Sequence, residues 1–543
     1  MNHGKFSLPE PVNEPILSYR PGSPEKKELK ARLKELSQET IEIPLIIGGK
    51  EVHTGNVAQS VMPHDHQHVL ANYHKAGEKE IEMAIEASQD AWQTWSNMPW
   101  FERAAIFKKM ADLLAGPWRA TLNASTMLNQ SKNVYQAEID SACEMIDFWN
   151  FNVKYMEEIY EEQPYSPLGM WNRMEHRPLE GFIFAVTPFN FTSIAGNLPT
   201  SPAIMGNTVL WKPASSAVLS AYYTMKLFKE AGLPDGVINF IPGSGSQIGP
   251  RVLKDPKLAG IHFTGSTNTF QNMWKTVGEN IHNYNSYPRI VGETGGKDFV
   301  FVHKSAKVDP VVTALIRAAF EYQGQKCSAA SRAYIPKSLW PEIKSEMLDE
   351  IKTIKMGDVT NFTNFMNAVI DQSAFHNIMS YIDYAKESDE AEILIGGEGD
   401  DSKGYFIEPT VVLTSNPHFK TMEEEIFGPV LTVYVYEDRD FEKTLEICDN
   451  TSPYGLTGAV FSQDRKALSI ATSKLEHAAG NFYQNDKPTA AVVSQQPFGG
   501  GRASGTNDKA GSKLNLLRWV SPRSIKESFN PPTDYRYPFM EKK

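Results

Sequence analysis

Cysteine is scarce in this sequence: only Cys143, Cys327 and Cys448 occur among 543 residues. They are odd in number, lie far apart and form no C-x-x-C pair, so they predict neither a disulfide framework nor a zinc site. We therefore expect no metal ion, and the sequence leaves room for one reactive thiol.

Long apolar runs are also missing. No stretch approaches the roughly 18 consecutive apolar residues that a membrane-spanning helix needs, which excludes a membrane-integral protein. Residues 1–19 contain three prolines and two glutamates, which is typical neither of a signal peptide nor of an Arg-rich, acid-poor transit peptide. We expect a cytoplasmic protein, or one of the mitochondrial matrix if the organism is a eukaryote.

Blocks of positive charge are the third absence. Lys and Arg total 54 against 65 Asp and Glu, and the formal net charge of −11 is spread along the chain. The nearest candidate for a basic patch, residues 26–34, is interleaved with glutamates as on a solvated helix. Nucleic acids and anionic membranes need clustered Lys and Arg, so we predict neither as a partner.

What is present describes an ordered protein, with 41% hydrophobic and 22% charged residues. At roughly 150 residues a domain, the length predicts several units with cores of their own. Residues 1–45 predict a proline-bearing arm with a charged helix over 24–38, which has little that could form a core and serves packing or association. Helices are also predicted over 77–114, from the 3.6-residue apolar repeat, and over 138–160.

From residue 181 onward, short apolar runs alternate with helical segments. One such segment, 217–230, ends at Gly232, where glycine favours a left-handed cap. Repeated strand–helix–strand units without hairpin signals imply a parallel sheet covered by helices, which binds ligands at the carboxyl ends of its strands. The predicted strands are 181–186, 208–211, 237–241 and 260–263.

A second series of the same kind runs from about residue 310 to residue 486, so the predicted fold class is α/β with two such domains. The tail from Ser521, with its prolines and aromatics, is predicted to be extended and to pair with another subunit. The strands predicted in the second series are 332–336, 391–395, 431–436, 458–461 and 480–483.

Cys327 lies in a glycine-containing segment just after a helical stretch, 309–322, and is flanked by Lys326 and Ser328. A thiol needs a lowered pKa or a nearby base to act as a nucleophile, and an ammonium group or main-chain N–H groups can favour the thiolate. The alternative is a buried structural cysteine, which this neighbourhood taken alone favours.

Two further polar residues follow short apolar runs. Glu293 lies in a glycine-rich turn over 291–297, from which its carboxylate could reach a cleft and activate water; the alternative is a solvated glutamate. Asn190 follows the strand predicted over 181–186, so its amide could donate to an oxyanion. The alternative for a turn asparagine is a bond to its own backbone.

Several segments could bind a cofactor. Residues 263–266 fall between a strand and a helix, where N–H groups hold pyrophosphate. Residues 243–249 resemble the dinucleotide glycine pattern, with the last spacing one residue too long. Lys212 ends a strand and could bond ribose hydroxyls, and the rigid turn 425–429 could hold a ribose or a ring. Each feature, alone, is equally typical of an ordinary loop.

Together and in this order, the motifs resemble the aldehyde dehydrogenase superfamily over roughly residues 45–525. The set is Thr-Pro-Phe-Asn at 187–190, Trp-Lys-Pro at 211–213, Phe-Thr-Gly-Ser at 263–266, Glu-Thr-Gly-Gly-Lys at 293–297, Gly-Gln-Lys-Cys at 324–327, Glu-Ile-Phe-Gly-Pro at 425–429 and Pro-Phe-Gly-Gly at 497–500.

The resemblance implies two Rossmann-like parallel-sheet domains, a small β oligomerisation element and a homodimer or higher homo-oligomer. The implied division is an N-terminal arm at 1–45, an NAD-binding domain at 46–296 with oligomerisation strands near 160–180, a catalytic domain at 297–495, and a return to the core with a C-terminal oligomerisation tail at 496–543.

Some segments resemble one particular branch of this superfamily. Residues 12–16, 320–327, 458–464 and 495–508 look like the branch of the superfamily that oxidises L-glutamate γ-semialdehyde, formed from Δ1-pyrroline-5-carboxylate, to L-glutamate in proline catabolism. The implied cofactor is NAD; NADP is not excluded, because Ser215 stands where many NAD-preferring relatives have an acid. The alternatives are a dehydrogenase of another ω-semialdehyde, a catalytically silent protein on this fold and a cofactor-free cysteine hydrolase.

The resemblance also implies roles. Cys327 would be the nucleophile, Asn190 would hold the oxyanion together with the Cys327 N–H, and Glu293 would activate water. The implied cofactor contacts are Thr187, Lys212, Gly265, Ser266, Thr267, Glu425 and Phe427. The implied substrate contacts are Phe191, Lys326, Ser328, Ala490, Ala491, Phe498 and Glu144.

One position departs from the pattern of the superfamily branch. Ala490 and Ala491 stand where that branch often has Gly-Ser, so a hydroxyl donor for the substrate carboxylate is missing. Main-chain N–H groups of the same loop would have to bind the carboxylate together with Ser328.

Overall fold

The computed structural model describes residues 4–541. Within these residues no helix is both long and apolar enough to cross a membrane. The N-terminal half consists of α1 (Pro24–Gln38), β1 (Ile41–Ile43), β2 (Leu45–Ile47), β3 (Lys50–Val52), β4 (Val57–Met62), β5 (Asp65–His74), α2 (Glu78–Trp95), α3 (Trp100–Ala115), α4 (Arg119–Gln130), α5 (Val134–Ala137), α6 (Met145–Glu161), β6 (Met170–Pro178), β7 (Phe182–Val186), α7 (Thr192–Ile204), β8 (Thr208–Lys212), α8 (Val218–Ala231), β9 (Ile238–Phe240), α9 (Gly245–Val252), β10 (Leu258–Thr264) and α10 (Thr267–Glu279).

The second half repeats the alternation of strands and helices. It consists of β11 (Arg289–Glu293), β12 (Asp298–Val302), α11 (Val308–Phe320), β13 (Ala330–Pro336), α12 (Trp340–Ile351), α13 (Gln372–Lys386), β14 (Ala391–Ile395), β15 (Gly399–Asp400), β16 (Phe406–Ile407), β17 (Thr410–Thr414), α14 (Lys420–Glu423), β18 (Val430–Tyr436), α15 (Phe441–Asn450), β19 (Tyr454–Gly455), β20 (Thr457–Phe461), α16 (Arg465–Lys474), β21 (Asn481–Gln484), β22 (Gly501–Arg502), α17 (Lys513–Leu517) and β23 (Val520–Ser528).

The first large sheet has seven strands in the order β11-β10-β7-β8-β9-β2-β3. Its first five strands are parallel, as predicted, whereas β2 runs antiparallel to both β9 and β3. The turn between β2 and β3 is Gly48-Gly49, with φ of 55° and 74° at its two residues. Two positive φ values in a two-residue turn are typical of a hairpin, a signal that the sequence prediction did not use.

The second large sheet also has seven strands, in the order β14-β17-β18-β13-β12-β20-β21. All neighbours are parallel except β14 and β17. The sequence prediction missed the strands β12 and β17, although all five predicted strands of this series are present. Because β12, β13 and β18 are buried on both faces, helices must cover this sheet on both sides. The predicted fold class, α/β with two such sheets, is confirmed.

A two-stranded ribbon extends the fold. The strand β23 pairs antiparallel with β6 from Val520 opposite Pro178 to Ser528 opposite Met170. The predicted extended tail is thus confirmed over β23, but its pairing partner is a strand of the same chain. The end of the tail, residues 542–543, lies outside the described residues.

The N-terminal arm is more closely packed than predicted, and its first residues, 1–3, lie outside the described part of the chain. The predicted helix is present with its predicted bounds as α1. Its Leu29, Leu33 and Leu36 are 0%, 1% and 5% exposed and belong to the largest hydrophobic core. The prediction that this segment has little to offer a core was therefore wrong, because three leucines on one helix face suffice.

Two other helix predictions need adjustment. The helix predicted over 77–114 is two helices, α2 and α3, separated by a turn that contains Pro99, because proline disrupts a helix interior. The helix predicted over 138–160 begins with a π-helical segment, Glu138–Glu144, that continues into α6. Such π turns inside helices occur frequently at functional sites.

Candidate active site

The segment before Cys327 has an unusual backbone. Tyr322, Gln323 and Gly324 all have positive φ, of 54°, 56° and 67°. The side chain of Gln323 holds this turn: its Nε2 donates to the carbonyls of Ser131 (3.0 Å) and Ala368 (2.7 Å). Left-handed backbone at residues other than glycine costs about 1–3 kcal/mol each, so these bonds fix the path of the chain into Cys327.

This turn requires a glycine at position 324, because a side chain there would not fit. A β-carbon there would lie 2.2 Å from the carbonyl oxygen of Gly428, besides being strained at φ +67°. We expect Gly324→Ala to lower the free energy of unfolding by about 1–3 kcal/mol or more. Urea unfolding followed by circular dichroism measures this, with Gly501→Ala as the control because a β-carbon there meets open space. Equal midpoints for the two variants would contradict the expectation.

The Cys327 thiol is buried, with the residue 8% exposed. Burial, together with the negative charges of Asp298 and Glu293, raises the pKa of the thiol well above its usual range. Lys326 does not counter this, because its Nζ donates to Glu321 Oε2 at 3.2 Å. The resting thiol is therefore neutral, and the lowered pKa that the flanking lysine suggested is absent.

This raised pKa predicts the pH dependence of alkylation. Only the thiolate reacts with iodoacetamide, so the rate at Cys327 is low at neutral pH and increases with pH. We expect it to keep increasing above about pH 8.5, where an ordinary thiol is half ionised. Mass spectrometry of the labelled peptide measures the rate, with Cys327→Ala as the blank. A profile that levels off below pH 7 would show a thiolate in the resting protein instead.

Glu293 is the last residue of β11 and is partly buried. Burial raises the pKa of its carboxyl well above the usual range, against the opposing effects of the Lys509 ammonium and of a bond from the Gly500 N–H. Its Oε2 has no hydrogen-bond partner among the described residues. The alternative of a solvated surface glutamate is therefore wrong: the residue is partly buried, and its Oε2 atom is enclosed without a hydrogen-bond partner among the described residues.

Asn190 lies just beyond the carboxyl end of β7 and is 4% exposed. Its Nδ2 donates to the carbonyl oxygen of Gln325 at 3.1 Å, two residues before Cys327. The alternative of a turn asparagine bonded to its own backbone is therefore wrong. The bond ties the loop after β7 directly to the cysteine loop.

A cavity of about 520 Å³ brings the predicted chemical groups together. Asn190 is not among the residues that line it. The lining residues named from the sequence are Cys327, Glu293, Phe191, Lys326, Ser328, Ala490, Ala491, Phe498 and Glu144.

Beneath this cavity lies a buried ion pair that the sequence analysis missed. Lys132 Nζ contacts Asp140 Oδ2 at 2.6 Å and lies 4.2 Å and 4.5 Å from the ring centroids of Phe191 and Tyr322. Asp140 in turn accepts the N–H groups of the first two residues of α7, at 2.9 and 2.8 Å. No local pattern marks Lys132, because its partners come from three separate segments.

Glu144 is the acid among the predicted substrate contacts. Burial and the nearby Asp140 raise the pKa of Glu144 to about 8, although Ser193 Oγ donates to its Oε2 at 3.0 Å. At neutral pH this carboxyl group is therefore mostly protonated and borders the cavity as a hydrogen-bond donor as well as an acceptor.

The predicted cofactor residues of the first sheet lie at or beyond strand ends. Burial lowers the pKa of Lys212 to about 8, and its Nζ donates to the adjacent Pro213 carbonyl, at 3.1 Å. Thr187 accepts the Trp211 Nε1–H at 3.0 Å. Ser266, after Gly265, caps the N-terminus of α10, and Thr267 Oγ1 lies 3.4 Å from the Tyr454 hydroxyl.

The two predicted cofactor residues of the second sheet precede β18. Glu425 Oε1 accepts the Gly296 N–H at 2.9 Å, and burial raises the pKa of Glu425 to about 7. Phe427 has φ of 59° and packs edge-on against Phe189, with ring centroids 5.8 Å apart. Glu425 thus contacts the glycine turn that links β11 of the first sheet to β12 of the second.

A separate cluster, Glu42, His53 and His74, has the residue types of a metal site. His74 Nδ1, however, accepts the N–H groups of Thr54 and Gly55, both at 3.1 Å. The ring proton must then be on Nε2, which lies 2.6 Å from Glu42 Oε1. This arrangement is a hydrogen-bonded histidine and glutamate, and it leaves no lone pair on Nε2 for a metal ion.

Comparison with known proteins agrees with the site. The profile of the "Aldehyde dehydrogenase family" matches residues 51–525. The mitochondrial Δ1-pyrroline-5-carboxylate dehydrogenase of Dictyostelium discoideum is 54% identical, over 99% of this chain and 98% of its own. The human mitochondrial enzyme of that name is 49% identical, over 98% and 94%. A crystal structure titled as the Mycobacterium tuberculosis enzyme bound with NAD superposes with a TM-score of 0.96 at 52% identity, covering 99% of this chain and all of that one. The chain belongs to the aldehyde dehydrogenase family.

Proposed function

We propose that this protein oxidises L-glutamate γ-semialdehyde, formed from Δ1-pyrroline-5-carboxylate, to L-glutamate with reduction of NAD, a step of proline catabolism. The observation that carries the proposal is the cavity in which the Cys327 thiol, the partly buried acid Glu293 and the predicted substrate contacts meet. Relatives named for this reaction, at 49–54% identity over almost the whole chain, support it.

Covalent catalysis begins at Cys327. Its thiol loses a proton to solvent and the resulting thiolate sulfur adds to the aldehyde carbon, which places negative charge on the carbonyl oxygen. The Asn190 amide and the Cys327 N–H stabilise this oxyanion, and such donors contribute about 2.7–4 kcal/mol each where they have been removed from other enzymes. The bond from Asn190 to the Gln325 carbonyl holds the amide against the cysteine loop.

The second half of the reaction needs a base. When bound, NAD would supply the acceptor for the hydride that the carbon attached to Cys327 loses, and that carbon then becomes an acyl group on the sulfur. Glu293 then takes a proton from water, and the resulting hydroxide releases the acyl group from Cys327 as a carboxylate. Since its carboxyl has a raised pKa, Glu293 is protonated at low pH and becomes a base as pH rises.

The donor set fits a dinucleotide. Lys212 presents a buried amine for ribose hydroxyls, and Ser266 caps the thirteen-residue helix α10, whose N-terminal N–H groups attract phosphate. Glu425 and Phe427, just before β18 of the second sheet, supply a carboxylate and a ring. Ser215, close after Lys212, adds no charge against a 2′-phosphate, so the choice of NAD over NADP rests on the relatives.

The end of the cavity for the substrate carboxylate is built from main chain. Ala490 and Ala491 offer no side-chain donor, so Ser328 and the N–H groups of the loop bind the carboxylate. Lys487 orders this loop, because its Nζ donates to both the carbonyl and the hydroxyl of Thr489, at 2.9 Å each.

A panel of semialdehydes of differing chain length, each assayed with NAD and with NADP, tests the proposal. We expect the highest kcat/KM for L-glutamate γ-semialdehyde with NAD. Because Ala491 lacks a hydroxyl, the competing hypothesis is a preference for another ω-semialdehyde. A higher kcat/KM for such an aldehyde would replace the proposed substrate. Absence of aldehyde-dependent NADH formation would instead indicate a catalytically silent protein.

Assembly and location are part of the same proposal. The ribbon of β6 and β23 carries exposed apolar side chains, among them Trp171 at 49%, with Leu168 and Phe529 just outside it at 104% and 59%. Exposed apolar groups on a projecting ribbon favour a homodimer or higher homo-oligomer, which light scattering measures directly. The proposed location is the cytoplasm, or the mitochondrial matrix in a eukaryotic cell; the Dictyostelium and human relatives are named as mitochondrial.

A further inference from the structure

The N-terminal arm borders the substrate cavity. Asn13, Glu14 and Ile16 line the same cavity as Cys327 and the loop that contains Ala490 and Ala491. This stretch forms neither helix nor strand, so side-chain contacts with the rest of the chain must hold it in place.

Buried charges fix the arm just beyond this point. Glu14 Oε1 pairs with Arg119 at 2.6 Å, and a second nitrogen of Arg119 donates to the Pro15 carbonyl at 3.0 Å. Glu138, which is 0% exposed, accepts the Leu17 N–H at 2.8 Å and also pairs with Arg119. Breaking a buried ion pair is costly, so the position of the arm beside the cavity is well determined.

Asn13 connects this arm to both walls of the cavity. Its Nδ2 donates to Asp147 Oδ2 on α6 at 2.8 Å and to the Val493 carbonyl at 3.0 Å. Its Oδ1 accepts from Gln495 Nε2 at 2.9 Å. The adjacent Glu14 N–H donates to Asp147 Oδ1 at 2.7 Å, so the arm and α6 are joined by two bonds at one carboxylate.

The loop that Asn13 holds begins at Lys487 and includes Ala490 and Ala491. Since these alanines provide no hydroxyl, recognition of a carboxylate depends on where the main-chain N–H groups of the loop point. Lys487 anchors the loop at Thr489, and Asn13 anchors it at Val493.

We propose that Asn13 is a positioning residue that holds the carboxylate-binding loop, so that the N-terminal arm takes part in substrate selection. This rests on the proposed function of the loop, which is to bind the α-carboxylate of the aldehyde substrate. A purely structural strap would affect folding and every substrate equally. A positioning role affects those ligands that carry the carboxylate.

The experiment compares Asn13→Ala with Val12→Ala in the full chain, since Val12 is 78% exposed. We expect the KM for L-glutamate γ-semialdehyde to rise about tenfold in Asn13→Ala with kcat within about twofold, the size of effect for a few lost hydrogen bonds. Oxidation of pentanal, which lacks the carboxylate, is expected to change by less than about twofold. Val12→Ala is expected to match the unmodified protein.

A second readout needs neither turnover nor cofactor. L-glutamate should protect Cys327 from alkylation by iodoacetamide. The Asn13→Ala variant should need about tenfold more L-glutamate for the same protection, while its alkylation rate without glutamate stays unchanged. If Asn13→Ala does not fold, Gln495→Met, which removes only the donor to Asn13 Oδ1, should show a smaller shift in the same direction.

The outcomes separate the two proposals. An unmodified protein that neither oxidises the semialdehyde nor is protected by glutamate refutes the proposed function. If the unmodified protein does both, two results for Asn13→Ala refute the positioning role of Asn13 alone. One is an equal loss of activity toward the semialdehyde and pentanal. The other is an unchanged KM together with an unchanged glutamate concentration for protection.

Discussion

Cys327→Ala is expected to lower aldehyde-dependent NADH formation by more than about 10⁴-fold, as loss of a covalent nucleophile does in other enzymes. The alanine cannot form the bond to the aldehyde carbon, and the loop that Asn190 contacts contains no second cysteine. Since one buried sulfur atom is removed next to an existing cavity, the free energy of unfolding should change little. Steady-state kinetics and thermal unfolding measure the two effects.

Cys448→Ala is the matched control for this result. Cys448 is fully buried in the core of the second sheet, away from the cavity. Its loss should lower the free energy of unfolding by about 1 kcal/mol and leave turnover intact. Turnover that survives in Cys327→Ala, or disappears in Cys448→Ala, would assign the nucleophile to another group.

Glu293→Gln should separate the two halves of the reaction. The amide keeps the size of the side chain but cannot take a proton from water, so the acyl group on Cys327 accumulates. We expect at most one NADH per site in a rapid burst, followed by steady turnover about 10²–10⁴-fold slower. Stopped-flow absorbance at 340 nm resolves both phases.

The pH profile provides a second test of Glu293. Its raised pKa means that the carboxyl is protonated, and inactive as a base, until pH rises toward that pKa. Steady-state turnover should therefore increase with pH, and Glu293→Gln should lose this rising limb. Unimpaired steady-state turnover of Glu293→Gln would show that Glu293 is not the base. A variant that slows the first turnover as well would place Glu293 in deprotonation of the thiol.

Local features of the sequence predicted several helices and nine of the fourteen strands in the two large sheets. The bounds of α1 and the end of α8 at Gly232, with φ of 94°, follow from signals within a few residues. The apolar runs at β7 and β8 predict buried strands for the same reason. The sequence did not predict the other five strands of these sheets, β2, β3, β11, β12 and β17, because the pattern of alternation did not separate these short segments from their surroundings.

The sequence by itself predicted the family: the ordered motifs, among them those around Asn190, Glu293 and Cys327, resemble aldehyde dehydrogenases, and the family profile confirms this over residues 51–525. The tertiary structure decided the state of those groups. It left Cys327 protonated among carboxylates, paired Lys326 with Glu321, and brought Asn13 to Val493. Desolvation and Coulomb energy depend on distances in space, and residues 480 positions apart in the chain have no local pattern that records their contact.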